Sequence, residues 1–154
     1  MSLSDNELKQ AILTALGAHT VLSMAAQDDT GPHAVSLMYA HQAFDLYWLS
    51  DPKTEHSIHL ENDKRCAVTI ARQQDAFENI MGLQMSGHGL RLDKGTQADE
   101  GFALLTARYA FLQTFATGKL ARHLGKMAVY RFRPQRITLI DNSRGFGFKQ
   151  ILQL

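Results

Sequence analysis

The sequence predicts an α+β protein, mainly β, in which a mostly antiparallel barrel carries flanking helices. Three observations predict it. Short runs of alternating apolar and polar residues recur along the chain, separated by turn-forming clusters. The longest of these runs carries two glycines, as a barrel corner requires. Helical periodicity is confined to early, middle and late stretches. The 154 residues, 45% hydrophobic and 20% charged, suit one globular domain over 1–154, since a chain of this length buries roughly 70% of its unfolded surface. Residues 1–17 read as an N-terminal helix and 18–150 as the barrel with helical insertions.

Ser4 to Glu7 has the spacing of a capping box, with Ser4 as N-cap and Glu7 reaching back. Leu8, Ile12, Leu13 and Leu16 follow on one helical face, and Gly17 is placed to end the helix. Thr20 to Ala26 is strand-like, and Asp28 to Gly31 is turn chemistry. Pro32 to Ala40 alternates, His41 to Ala43 reads as a hairpin loop, and Phe44 to Ser50 returns as an aromatic-rich strand. Three consecutive antiparallel strands result. Asp51 and Pro52 break the last of them. Residues 54–62 then read as a helix with Ile58 and Leu60 toward the core.

Arg65 to Arg72 alternates as a strand, Gln73 to Asn79 is a polar loop, and Ile80 to Leu92 is a long strand with Gly87 and Gly89 as bend residues. Thr96 to Phe115 reads as the longest helix, with Phe102, Leu105, Tyr109 and Leu112 as its buried stripe. Lys119 to Leu124 reads as a further short helix. Met127 to Phe132 and Ile137 to Asp141 read as two strands around Arg133 and Pro134. No internal repeat, low-complexity tract or linker is visible.

The net charge is +1, but residues 1–63 carry −7 and residues 64–154 carry +8. Two readings stand: complementarity within or between subunits, and an anionic ligand held by the basic half. Nucleic acid is not expected, because no dense Lys/Arg cluster is interleaved with stacking aromatics. No apolar run approaches the ~20 residues that span a bilayer. The first residues lack a basic segment followed by an apolar one, so no secretory signal is read. Cys66 is the one cysteine, which excludes an internal disulfide and fits a reducing cytoplasm. Mid-strand among Ala, Val and Ile, it reads as a buried apolar residue. Nucleophile elbow, Rossmann and P-loop patterns are absent. His56 and His59 can share a helix face, and His19, His33 and His41 add imidazoles. No carboxylate–histidine motif accompanies them, and no metal site is expected.

Four stretches, in this order, carry a family likeness: Gly31 to Leu37, Leu46 to Leu60, the G-x-Q-x-x-G run Gly82 to Gly87, and Leu139 to Lys149. Together they resemble the pyridoxamine 5′-phosphate oxidase-like FMN-binding split-barrel superfamily, and a small group of bacterial flavin-nucleotide-binding proteins within it. The resemblance runs over residues 18–150. It departs from the oxidases proper at His33, where they carry Arg, and at Glu55 and His56, where they carry an Arg-Lys pair. The terminal Trp and Arg of the oxidases are replaced by Gly145 to Phe148. The fold and FMN are therefore implied more firmly than the oxidase reaction.

FMN requires donors and positive charge for its phosphate, a flat wall for its ring and hydrogen bonds for its polar edge. Ser50, Lys53, Thr54 and His56 fall within seven residues across a turn and a helix start, where hydroxyls, an ammonium and backbone N–H groups meet the first need. The plainer reading of the same residues is an N-cap and a solvated lysine. The resemblance implies that His33, Ala34, Val35 and Ser36 line the isoalloxazine ring. It also implies that Gln84 approaches the flavin from a second subunit, and that the chain is a homodimer with the flavin at its interface. Asn142 and Phe146 belong either to a glycine-containing bend or to a loop closing over the flavin. The expected function is an FMN-dependent oxidoreductase of unknown substrate, in which the cofactor carries the redox chemistry. The alternatives are a non-catalytic flavin-binding, storage or sensor protein, and a haem-binding split barrel with histidine ligands.

Overall fold

Ser4 and Glu7 do start a helix. In the computed structural model, which describes residues 2–115, 117–118 and 121–154, the Ser4 side chain accepts from the Glu7 backbone and the Glu7 carboxylate accepts from the Ser4 backbone at 2.8 Å. Helix α1 (Asp5–Ala18) buries Leu8, Ile12, Ala15 and Leu16. Gly17 does not end it. The helix runs one residue further because its terminal carbonyls find partners from distant segments. The Tyr39 hydroxyl donates to Leu16 O at 2.7 Å, and the Arg108 guanidinium donates to Gly17 O at 3.1 Å and to His19 O.

The strands are β1 (Val21–Asp28), β2 (Gly31–Met38), β3 (Ala40–Gln42), β4 (Asp45–Ser50), β5 (Arg65–Ala71), β6 (Met81–Arg91), β7 (Ala128–Asp141) and β8 (Lys149–Gln153). They form one antiparallel half-barrel sheet in the order β2-β1-β5-β6-β7-β4-β3, with β8 also on β7. The segment expected to be a hairpin loop at His41 to Ala43 is mostly strand. The turn sits at Ala43 and Phe44, with Ala43 at φ 49°. The two strands expected around Pro134 are one continuous β7. Its first part pairs with β4, its last part with β8, and β6 runs along its other edge throughout.

That continuity depends on Gly87. The register between β6 and β7 shifts between Ser86 and Gly87. A Cβ at Gly87 would lie 2.2 Å from Arg133 O and 2.8 Å from Pro134 Cα. Proline donates no ladder hydrogen bond, so it belongs at such a bulge.

The main core lies between the sheet and α1, with Trp48 stacked on Tyr130 at 5.7 Å. Cys66 is part of it, and burial pushes its thiol up to about 12, which makes it inert at neutral pH. A second core packs the helical insertion against β4 and β7 through Tyr47, Leu105, Tyr109 and Val129. The helix expected over 96–115 is two, α3 (Thr96–Arg108) and α4 (Phe111–Phe115), because Tyr109 leaves helical geometry and turns its hydroxyl to Thr20 O at 3.1 Å and to Tyr39 O. Phe102 faces outward rather than joining the stripe. Of the short helix expected over 119–124, α5 (Ala121–Leu124) is present; Lys119 and Leu120 lie outside the described residues. No described helix is long and apolar enough to cross a membrane.

Gly87→Ala is expected to cost about 1–3 kcal/mol through overpacking against backbone that has no room to give, read as a lower urea midpoint with an unchanged denaturant slope.

Candidate functional site

The turn after β4 begins with Asp51 and Pro52, and helix α2 (Glu55–Asn62) follows. Ile58 was expected in the core but is exposed. His56, Ser57, His59 and Leu60 are the buried face. Three of those four are polar, which is unusual for a helix packed on a sheet and requires partners.

The partners are mostly each other. Ser50 Oγ, at the end of β4, lies 2.5 Å from His56 Nε2. The Thr54 hydroxyl donates to Asp51 O at 2.8 Å and lies 3.1 Å from His56 Nε2 and 2.8 Å from Ser57 Oγ. The Thr54 hydroxyl thereby meets side chains of α2 rather than its backbone N–H groups, and α2 starts with no side-chain cap. Its first N–H groups have no intrahelical acceptor. The contrast with the closed capping box of α1 is plain. Lys53 projects into solvent beside this start, its backbone N–H held by the Asp51 carboxylate at 2.9 Å.

Strand β2 brings a third imidazole. The His33 ring stacks parallel to His56 at 6.4 Å and meets His59 edge-on at 5.8 Å. His33 Nδ1 lies 3.3 Å from the Glu55 carboxylate. His59 Nε2 lies 3.4 Å from both Asp28 Oδ1 and Thr30 Oγ1, while its buried Nδ1 has no partner among the described residues. Hydrogen bonds from the Thr30 hydroxyl, the Asn62 amide and the Thr30 N–H hold the Asp28 carboxyl down at about 2. Burial, and then the neighbouring His33 and His59, lower the pKa of His56. No set of described side chains is arranged to hold a metal ion.

The expected residues therefore divide. Ser50, Thr54, His56 and His33 converge, with Lys53 at the rim. The strand residues His33 to Ser36 do not share a face: His33 and Val35 point inward, Ala34 and Ser36 outward. Gln84 is on that outward face, in one cross-strand row with Ser36, Ser23 and Thr69. Three strand spacings separate Gln84 from Ser36, about 14 Å. Asn142 is a buried structural group. Its amide donates to Phe77 O at 2.8 Å and its side-chain oxygen accepts from Gly147 N at 3.1 Å. Phe146 is 85% exposed and stacks on Phe77 at 5.1 Å. Both sit beyond the Ala71 end of β5, whereas His33 lies near the Cys66 end, about 17 Å along the strand. Ser57, Thr30 and Asp28 were not singled out from the sequence. The one available signal was Ser57 three residues after Thr54, within a histidine-rich turn.

The half-barrel sheet with its flanking helices matches the fold of solved split-barrel proteins. A haem-binding protein from Mycobacterium smegmatis superposes with TM-score 0.74 at 17% identity, over 99% of this chain and 59% of that longer one. A candidate pyridoxamine 5′-phosphate oxidase from Listeria innocua superposes with TM-score 0.68 at 16% identity, over 86% and 97%. A FAD-binding protein from Mesorhizobium loti gives 0.64 at 19%, over 88% and 92%. These identities establish the shared fold alone. No model of a known sequence family matches the chain. The UPF0306 protein YhbP of Salmonella paratyphi A is 32% identical over 112 residues, which are 73% of this chain and 69% of that protein. The chain belongs to the UPF0306 family of YhbP proteins.

A histidine whose pKa is lowered in the folded state binds its proton more readily once unfolded. Its contribution to stability is thus present above the unfolded value near 6.5 and lost as pH falls below it. The melting temperature is expected to drop on acidification from pH 7 to 5, and to drop less in His56→Gln. An equal slope in both proteins counts against the assignment.

Proposed function

We propose that this chain binds FMN, with the phosphate at the start of α2, and that it serves as a cytoplasmic flavin-dependent oxidoreductase. The observation that carries the reading is the uncapped start of α2, ringed by hydroxyls and imidazoles. Backbone N–H groups and the Lys53 ammonium are the donors a phosphate dianion needs, and the Thr54 hydroxyl can join them by leaving Asp51 O. His56 is a neutral acceptor or a protonated donor according to pH, which makes the cradle adjustable, and His33 stacks beside it. Glu55 opposes an anion, but its carboxylate is turned to His33.

FMN supplies hydride and electron transfer when bound. The chain's own part is to hold and orient it. Strand β2 ends the sheet order and pairs with β1 alone, so its far edge offers backbone groups to the polar edge of a ring. Ala34 and Ser36 are small enough for a ring to approach closely. The names of similar folds, a FAD-binding protein and a candidate pyridoxamine 5′-phosphate oxidase, support a flavin.

The same outward face supports a homodimer. Val21, Ser23, Ala25, Ala34, Met38, Ala67 and Thr69 leave it flat and largely uncharged. Paired two-fold with its copy, that face lets Gln84 of one protomer reach the flavin on its partner, a distance that one chain alone does not bridge.

Absorption bands of oxidised flavin are expected to survive desalting after FMN is added. A Soret band on reconstitution with haem, without flavin retention, overturns the reading. Lys53→Ala with Thr54→Ala is expected to weaken FMN by about 1.5–3 kcal/mol per lost charge-assisted bond, with riboflavin little affected; equal losses for both ligands remove the phosphate assignment. Ala67→Arg is expected to yield a monomer in light scattering and to lose FMN. A monomer that keeps FMN places the flavin within one chain.

A further inference from the structure

A cleft of about 790 Å³ is built from elements the flavin reading does not use. It lies where the β3–β4 turn, the start of β5, the end of β6 and the bend of β7 meet. Its place on β4 is the Phe44–Asp45 end, about 16 Å along the strand from Ser50. Phe44, Leu90 and Pro134 supply an apolar wall.

The charge around that wall is one-sided. Lys64, His88, Arg131 and Arg133 line the cleft, and Asp45 is the one acidic side chain among its lining residues. Asp45 is already committed: Arg133 Nε and a terminal Arg133 nitrogen donate to its carboxylate at 3.2 and 2.8 Å. That leaves the Lys64 ammonium and the Arg131 guanidinium with no acidic side chain of their own in the cleft. Arg131 gives one weak bond to Gln97 Oε1 at 3.3 Å, and its buried Nε has no partner among the described residues. The terminal guanidinium nitrogens, of which only one makes that weak bond, are the donors an oxyanion in the cleft would meet. The volume falls within the range of small-molecule sites, which combine an apolar wall with a few fixed polar groups.

We infer that this cleft binds a small organic oxyanion with a flat apolar body, the body resting on Phe44, Leu90 and Pro134 and the carboxylate or phosphate lying between Lys64 and Arg131. This is a second site, independent of the flavin cradle. The His88 ring lies at its edge. Asp63, whose carboxyl Arg65 holds at about 2, is the anion facing His88 from outside the cleft.

The test uses the full chain with 2-naphthoate, 2-naphthyl phosphate and neutral 2-naphthalenemethanol as probes, followed by calorimetry and by backbone amide shifts. The two anions are expected to bind at least tenfold more tightly than the alcohol and to shift the amides of His88 and Leu90. Lys64→Gln, at an exposed position, is expected to weaken naphthoate about tenfold while leaving the melting temperature and FMN retention unchanged. Arg131→Gln is expected to do the same to naphthoate. Stronger binding of the phosphate than of the carboxylate assigns the head group as phosphate, and the reverse assigns carboxylate. Equal affinity for anion and alcohol, naphthoate affinity unchanged in Lys64→Gln, or shifts confined to α2 and β2 overturns the inference. Because FMN is followed separately, failure of the flavin reading leaves this result intact.

Discussion

The bulge between β6 and β7 at Gly87 is the constraint on which the longest pairing of the sheet depends. Strand β7 serves three partners: β6 along one edge, β4 along residues 128–132 and β8 along residues 136–140. Pro134 falls between the β4 and β8 segments, and the missing Cβ at Gly87 lets the Arg133–Pro134 backbone pass within contact of β6.

Polar burial under α2 is the second organising fact. A helix on a sheet is normally held by apolar residues. This one places His56, Ser57 and His59 against β1, β2 and β4, with hydroxyls beside His56 and Ser57 and the Asp28 carboxylate and Thr30 hydroxyl beside His59. Such a network is weak as a source of stability, since each bond only replaces one to water. It is useful as a set of groups that can change protonation and partner without a change of backbone. The closed cap of α1 and the uncapped start of α2 stand in contrast within one chain.

Much of the fold was legible because alternation and capping are local. Ser4 and Glu7, the strands on either side of Asp29 and Thr30, and the glycines of the long strand all fell where their chemistry places them. What was missed depends on distant partners. Gly17 looked like a helix end, but Arg108 and Tyr39 cap that end from elsewhere in the chain. Tyr109 fitted a helical stripe, but its hydroxyl is drawn to Tyr39 and Thr20. Ile58 has the composition of a core residue, yet the histidines beside it took the inner face. For the site, the spacing of Ser50, Thr54 and His56 pointed to one place. The contribution of Thr30 and Asp28 did not show, because only the sheet pairing brings the β1–β2 hairpin over α2. Residues 33–36 were read as a unit, whereas strand alternation sends them to opposite faces.

Helix α1 is tied at both ends to segments made much later. The Leu3 backbone exchanges two hydrogen bonds of 2.8 Å with the Gln150 side chain, 147 residues away. Its far end is held by Arg108. Docking of α1 therefore waits on contacts of very long sequence separation, and its apolar face, Leu8, Ile12 and Leu16, lacks its final cover until they form.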